Sequence, residues 1–214
     1  QQWHHRRADA ELAWDITQGA RNVRVAVLDT GLNLKLAEFK NRIARGAWDF
    51  VNDDDDPSDD HGHGTAVTGV IAANANNGIL GAGVDWRCQL IPIKVLDERN
   101  LGLYSWWAQG IHQAIENHAD VINLSAGGSG LSQTLTNAID EAIAAGAIFV
   151  TITQNDGRDS VSFPGNLPQC ITVGATDRDD TKTSFSNWGP EIDLVAPGRD
   201  IGTVSRSGNL TQWW

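Results

Sequence analysis

The chain has 214 residues, 41% of them hydrophobic, which suits one full-sized globular domain and excludes compositional disorder. Its formal net charge of −11 argues against a nucleic-acid partner, because a phosphate-facing surface needs clustered lysine and arginine. No apolar run approaches the roughly eighteen residues of a membrane-spanning helix.

The sequence begins Gln1-Gln2 with no leader-like stretch and contains 0 methionines, which reads as a processed or excised chain. The only basic cluster, His4-His5-Arg6-Arg7, reads as a solvated terminus. Residues 11–18 form a short helix before Gly19. Residues 23–28 are an apolar strand ending at Asp29. Residues 63–75 read as a helix, 90–96 as a strand, 105–117 as a helix and 121–124 as a strand. A helix over 131–145 and a strand over 147–152 follow. Short β-branched runs alternating with helices are the mark of βαβ units and a parallel sheet. After residue 160 only short strands are expected, at 171–173 and 192–195, then a loop bearing glycine and serine. The sheet then lacks a helix to cover it. Cys88 and Cys170 define no disulfide framework, and a bridge or two buried thiols are both compatible with the sequence. Nine tryptophans include the pairs Trp106–Trp107 and Trp213–Trp214, the second an odd pair to leave in water.

In an open parallel sheet, working residues gather beyond the carboxyl ends of the strands. Asp29 closes the first strand there. His63 opens the next helix between Gly62 and Gly64, which permit a sharp turn and close approach. A carboxylate behind an imidazole fixes its tautomer and frees the other nitrogen to act as a base. Asn155, after the strand at 147–152, can donate to a developing oxyanion, although an asparagine before Asp156-Gly157 is also an ordinary turn residue. Two other chemistries share these letters. Asp29-Thr30-Gly31 resembles an aspartic-protease half-site, but no second such motif occurs. His61 and His63 near Asp59 and Asp60 suggest zinc, without a clear further ligand from His112 or His118.

The segments VAVLDTG (25–31), HGHGTAVTGVIAA (61–73), NLGLYSWWAQGIHQAI (100–115), ADVINLSAGG (119–128), SFPGNLPQCITVGATD (162–177) and SFSNWGPEIDLVAPG (184–198) together resemble the subtilisin-like serine proteases, in the family's chain order. DFVNDDDDP (49–57) looks most like the thermitase-type branch. The resemblance implies an α/β, three-layer fold around a mostly parallel sheet, with its C-terminal portion missing here. It implies a secreted endopeptidase with Asp29 as triad acid, His63 as general base and Asn155 as oxyanion donor. Asn100, Leu101 and Gly102, with Leu124, Ser125, Ala126 and Gly127, would be the edges between which an extended polypeptide substrate pairs. Ile152, Thr153, Gln154 and Ser162 would line the pocket for the residue before the scissile bond. The Phe163-Pro164 bond matches a cis peptide of the family. Structural calcium is implied at two loops, Asn52, Asp53, Asp54, Asp55 and Asp56, and Asn74, Asn76 and Asn77.

The chain departs from the family in two ways. The GTS-type motif of the nucleophilic serine does not occur, and Ser207 resembles only the loop leading to it. This fits a fragment of an ordinary endopeptidase, a non-catalytic relative that binds peptides or a propeptide, or one part of a domain completed by a C-terminal segment. The second departure is Gln154, where the family usually carries glycine.

Overall fold

The computed structural model describes residues 2–79 and 81–213. Its centre is a seven-stranded parallel sheet in the order β2-β3-β1-β4-β5-β6-β7. The strands are β1 (Arg24–Asp29), β2 (Trp48–Asp49), β3 (Gln89–Lys94), β4 (Val121–Leu124), β5 (Ile148–Ile152), β6 (Ile171–Thr176) and β7 (Leu194–Pro197). β1 and β3 are almost wholly apolar because helices cover both their faces, the usual pattern of central parallel strands.

Two helices, α4 (Tyr104–Glu116) and α5 (Gln133–Ala144), cover one face. Trp107, Ile111, Leu135 and Ile139 pack there against Leu28, Ile93, Ile122 and Phe149, and all eight are buried. Each such side chain contributes roughly 1.5–3 kcal/mol on leaving water. Ser132 caps α5 by accepting from the Leu135 N–H at 3.3 Å. The other face is covered over β1 and β3 by α3 (His63–Ala72) and a single 3-10 turn, Ala37–Phe39, which together bury Val25, Val27, Leu90, Cys88 and Phe39.

Over β4 to β7 no element among the described residues covers that second face. Burial alternates along β5 and β6, and Leu194 of β7, which pairs with Val173 on this face, is 58% exposed. The chain does not end in a simple loop as the sequence suggested. β8 (Ile201–Val204) and β9 (Leu210–Trp213) form an antiparallel hairpin, closed by Ser205 N–H to Asn209 O at 2.8 Å and turned at Gly208 with φ 80°. β8 packs on α3, where the Thr203 hydroxyl donates to Ala66 O at 2.7 Å and a side chain at Gly69 would strike Thr203.

The basic N-terminal cluster is also not a solvated end. α1 (Trp3–Arg7) and α2 (Ala10–Trp14) bury His4 and His5 to 5% and 4% exposure. The His5 ring lies 5.0 Å from Trp14, which lies 4.8 Å from Trp86. Burial, with the neighbouring His5 charge, pushes His4 down to about 4. Cys88 and Cys170 are free, buried thiols, pushed up to about 11 and about 12 chiefly by burial. Trp107 is buried and Trp213 lies in β9, whereas Trp214 lies outside the described residues. Phe163-Pro164 is cis. No described helix is long and apolar enough to cross a membrane.

Candidate active site

Register brings the site together. Asp29 pairs with Lys94 and Leu28 with Leu124, so the ends of β1, β3 and β4 lie side by side at the carboxyl edge. Asp29 is 1% exposed. Its Oδ1 accepts from Thr30 N–H at 2.7 Å and from His63 Nδ1 at 2.7 Å. The latter bond assigns the Nδ1–H tautomer and leaves Nε2 without a hydrogen bond among the described residues, and His63 lines a cavity of about 420 Å³. Burial lowers the His63 affinity for protons, but the Asp29 charge, its hydrogen bond and the Asp59 charge together outweigh it. The pKa of His63 is therefore raised above its ordinary 6.5.

His63 reaches Asp29 because the backbone around it is unusually close. Gly62 precedes it with φ 116°, and a Cβ on Gly64 would sit 2.2 Å from Gly31 O and 3.2 Å from Asp29 Cβ. The approach is fastened by Asp59, which is 7% exposed. Asp59 Oδ1 accepts from Thr30 Oγ1 at 2.9 Å, His61 N–H at 3.1 Å and Gly62 N–H at 2.7 Å. Its Oδ2 accepts from Thr65 N–H at 2.9 Å and Thr65 Oγ1 at 2.5 Å. On the opposite side Lys94, 1% exposed, donates to Thr30 O, Leu96 O and Asp60 at 3.0, 2.8 and 2.7 Å. One carboxylate and one ammonium thus hold the strand end and helix start that carry the pair. His61, the other half of the zinc-like spacing, accepts from His63 N–H through Nδ1 at 3.3 Å.

Asn155 lines the same cavity as His63, is exposed, and makes no hydrogen bond among the described residues. The loop beneath it is tied by Asn187, 1% exposed, whose Oδ1 accepts from Asp156 and Arg158 N–H groups. Ile152, Thr153 and Gln154 also line this cavity, with Ser125 opposite. Ser162 does not. Its N–H donates to Thr153 O at 3.4 Å, behind the strand end.

A second cavity, of about 390 Å³, opens between the two proposed edges. Asn100, Leu101 and Gly102 line one side, and Ser125, Ala126 and Gly127 the other. Leu124 is fully buried, and its carbonyl already accepts from Thr151 Oγ1 at 3.0 Å, so the available edge starts at Ser125. Trp107 Nε1 and Asn100 Oδ1 are buried beside this cavity without a hydrogen-bond partner among the described residues.

The two acidic or amide-rich loops differ. In the first, Asp49 Oδ1 accepts from Val51 and Asn52 N–H groups, Asp54 from Asp56 N–H, and Asp56 from Ser58. Its carboxylates serve as turn caps, while Asp53, Asp54, Asp55 and Asp56 lie exposed. In the second, Asn77 Nδ2 donates at 2.9 Å to Oε2 of Glu38, which is 2% exposed. Glu38 Oε1 is buried and has no partner among the described residues. Asn74 is fixed through Ala37 O, Lys40 O and Arg42, and Asn76 takes φ 57°. The Glu38–Asn77 contact was not legible because the two stand 39 residues apart and Glu38 lies in a segment with no motif.

The match to known proteins is broad. The model of the "Subtilase family" of peptidases matches residues 20–213. The chain is 37% identical over 191 residues to a thermophilic serine proteinase of Bacillus sp. (strain AK1), covering 89% of this chain and 47% of that protein. It is 34% identical over 197 residues to thermitase of Thermoactinomyces vulgaris, covering 92% and 70%. A crystal structure of a cold adapted subtilisin-like serine proteinase superposes with a TM-score of 0.82 at 34% identity, over 90% of this chain and 69% of that one. The chain thus spans from about half to about two-thirds of the length of these proteins. It belongs to the subtilase family.

Proposed function

We propose that this chain provides the acid, the base and the oxyanion donor of a secreted serine endopeptidase that cleaves extended polypeptides through an acyl-enzyme. The observation that carries this reading is the 2.7 Å bond between buried Asp29 and His63 Nδ1, with His63 and Asn155 lining one cavity. In the reaction His63 Nε2 takes the proton of a serine hydroxyl as that oxygen attacks the scissile carbonyl. Asp29 holds Nδ1–H and stabilises the imidazolium. The uncommitted Asn155 amide donates to the oxyanion, a contribution of about 3–4 kcal/mol in comparable sites. His63 then returns the proton to the leaving amine, and water releases the acyl group by the same steps.

The nucleophile belongs, in this reading, to a segment seated on the uncovered face of β4 to β7. The cavity beside His63 is floored by Val67, Val150, Ile152, Val173 and Ala175, a surface made for an apolar helix rather than for water. Substrate chains lie between the Asn100–Gly102 and Ser125–Gly127 edges. A calcium ion at the second loop would be held by Glu38 Oε1, and by Asn77 once its amide turns, since Nδ2 now donates to Glu38 and Oδ1 accepts from Ile79 N–H. A buried carboxylate oxygen with no partner is costly unless a cation meets it. The ion would cross-link the loop to the 3-10 turn and takes no part in the chemistry.

Labelling of the full-length natural protein with a fluorophosphonate, followed by peptide mapping, tests the assignment. Modification of one serine outside residues 1–214, abolished in His63→Ala, is the expected result. Labelling of a serine within these residues, or hydrolysis that survives His63→Ala, refutes it. Accumulation in the medium rather than in cells tests secretion.

A further inference from the structure

Gln154 has no backbone reason to be where it is. It follows β5 with φ 80°, a conformation that glycine adopts freely and longer residues rarely do. Strained positions of this kind persist where the surroundings fix them and gather at functional sites. Here the side chain crosses from the end of β5 to the opposite edge. Nε2 donates to Gly127 O at 3.0 Å, and Cγ lies 2.8 Å from where a Cβ on Gly127 would stand. The amide stem therefore lies flat on Gly127. Gln154 lines both cavities, as do Asn100 and Ser125, and its side chain is the one of the three that bridges to Gly127 between the cavity beside His63 and the one between the two edges.

We infer that Gln154 sets the substrate class of this protein: polypeptides with a small residue, alanine, glycine or serine, immediately before the scissile bond. The inference rests on the peptidase reading. The pocket for that residue lies between the Ser125–Gly127 edge and the wall of Ile152, Thr153 and Gln154. The Gln154 bridge joins these walls and fills the space between them. A small side chain enters without disturbing the bridge. An aromatic or long aliphatic one has to break the bond to Gly127 O and swing the stem out of a packed position. The bridged carbonyl also lies on the edge that pairs with the substrate backbone, so displacing Gln154 disturbs main-chain recognition as well. Gln154 is thus a specificity-determining residue.

The test compares two peptide p-nitroanilides, identical except for alanine or phenylalanine before the scissile bond, on the full-length natural protein. Wild type is expected to favour alanine by roughly tenfold or more in kcat/KM, within the range that pocket fit supplies. Gln154→Gly keeps the backbone angle and removes the bridge, so it should raise the phenylalanine-to-alanine ratio by roughly tenfold or more. Gln154→Asn tolerates positive φ but is one methylene shorter, and should fall between. A wild type that prefers phenylalanine, or a ratio unchanged in both variants while hydrolysis persists, overturns the role of Gln154 and leaves the peptidase reading intact. No hydrolysis of either peptide by wild type overturns the peptidase reading, and this inference with it.

Discussion

Asp59→Ala should be among the most damaging single changes in the molecule, although Asp59 touches no substrate. Its carboxylate accepts five hydrogen bonds, from Thr30 Oγ1, His61 N–H, Gly62 N–H, Thr65 N–H and Thr65 Oγ1. The two hydroxyls can rotate to other acceptors, and the half-buried His61 N–H can reach water. The Gly62 and Thr65 N–H groups are buried and belong to the start of α3, where no helical carbonyl is available to them. Stranding each costs about 1–3 kcal/mol. Loss of a negative charge beside the helix N-terminus adds about 0.3–1 kcal/mol. The total is about 3–5 kcal/mol, allowing for some relaxation. With a urea slope of about 2–3 kcal/mol/M, the midpoint should fall by roughly 1–2 M. Asp59→Asn keeps one acceptor oxygen and should lose about half as much. Tryptophan fluorescence over a urea series reads both variants. If Asp59→Ala shifts the midpoint by less than roughly 0.3 M, or Asn and Ala behave alike, the carboxylate does not organise this site.

Two histidines give opposite responses to acid. His63 is raised in the fold, so its stabilisation is complete below its unfolded value of 6.5 and is lost as pH rises through the folded value. Its catalytic use runs the other way, since only the neutral imidazole is a base. The acid limb of kcat/KM should therefore lie above pH 6.5, and Asp29→Asn should move it down; an unmoved limb would show that the pair does not set it. His4 is pushed down to about 4 by burial, so the fold loses stability as pH falls from 6.5 toward that value, by about 3 kcal/mol at most. In His4→Phe that acid sensitivity should shrink, as thermal melts at pH 7 and pH 4.5 would show; equal sensitivity refutes it. Calcium should raise the melting temperature of the natural protein, and Glu38→Gln should remove most of that increment while leaving the melt in chelator little changed. An increment that survives Glu38→Gln places the ion elsewhere.

The parts of this fold that were legible are those whose residues answer to a single environment. The strands at β1, β3, β4 and β5 are apolar runs, and the structure places them within two residues of the expected limits. α4 and α5 were equally plain from their apolar stripes. The pairing of Asp29 with His63 was legible because one ends a strand and the other sits between glycines that only a close approach requires. The Asp29–His63 bond needs nothing beyond those two facts. What failed depends on partners far along the chain. Asp59 is one of six aspartates between residues 53 and 60, and nothing local marks it as the buried one. Lys94 reads as the polar end of a strand until register sets it beside Asp29. The buried His4 and His5 read as part of a basic terminus, because the enclosing surface comes from β8 and the segment at Ala82. The β8–β9 hairpin was missed because its strands are short and carry Thr, Gly and Gln among few apolar residues.

The uncovered sheet face is itself a source of prediction. Along β5, Phe149 and Thr151 point into the α4–α5 side at 1% exposure, whereas Ile148 on the other face is 50% exposed. In β7, Leu194 on that same face remains 58% exposed. At about 25 cal/mol per Å² of apolar surface, a helix covering a few hundred Å² here would contribute on the order of 5–10 kcal/mol, comparable to the net stability of a whole domain. Residues 1–214 expressed alone should therefore bind a hydrophobic dye, associate at micromolar concentration and melt without a sharp transition. Replacing Leu194 with threonine should reduce association without restoring a sharp melt, because the missing contacts are not supplied. A monomeric 214-residue chain with a cooperative transition above roughly 70 °C would show that the hairpin and α3 already seal the sheet, and the seat proposed for the serine-bearing segment would then have to be abandoned.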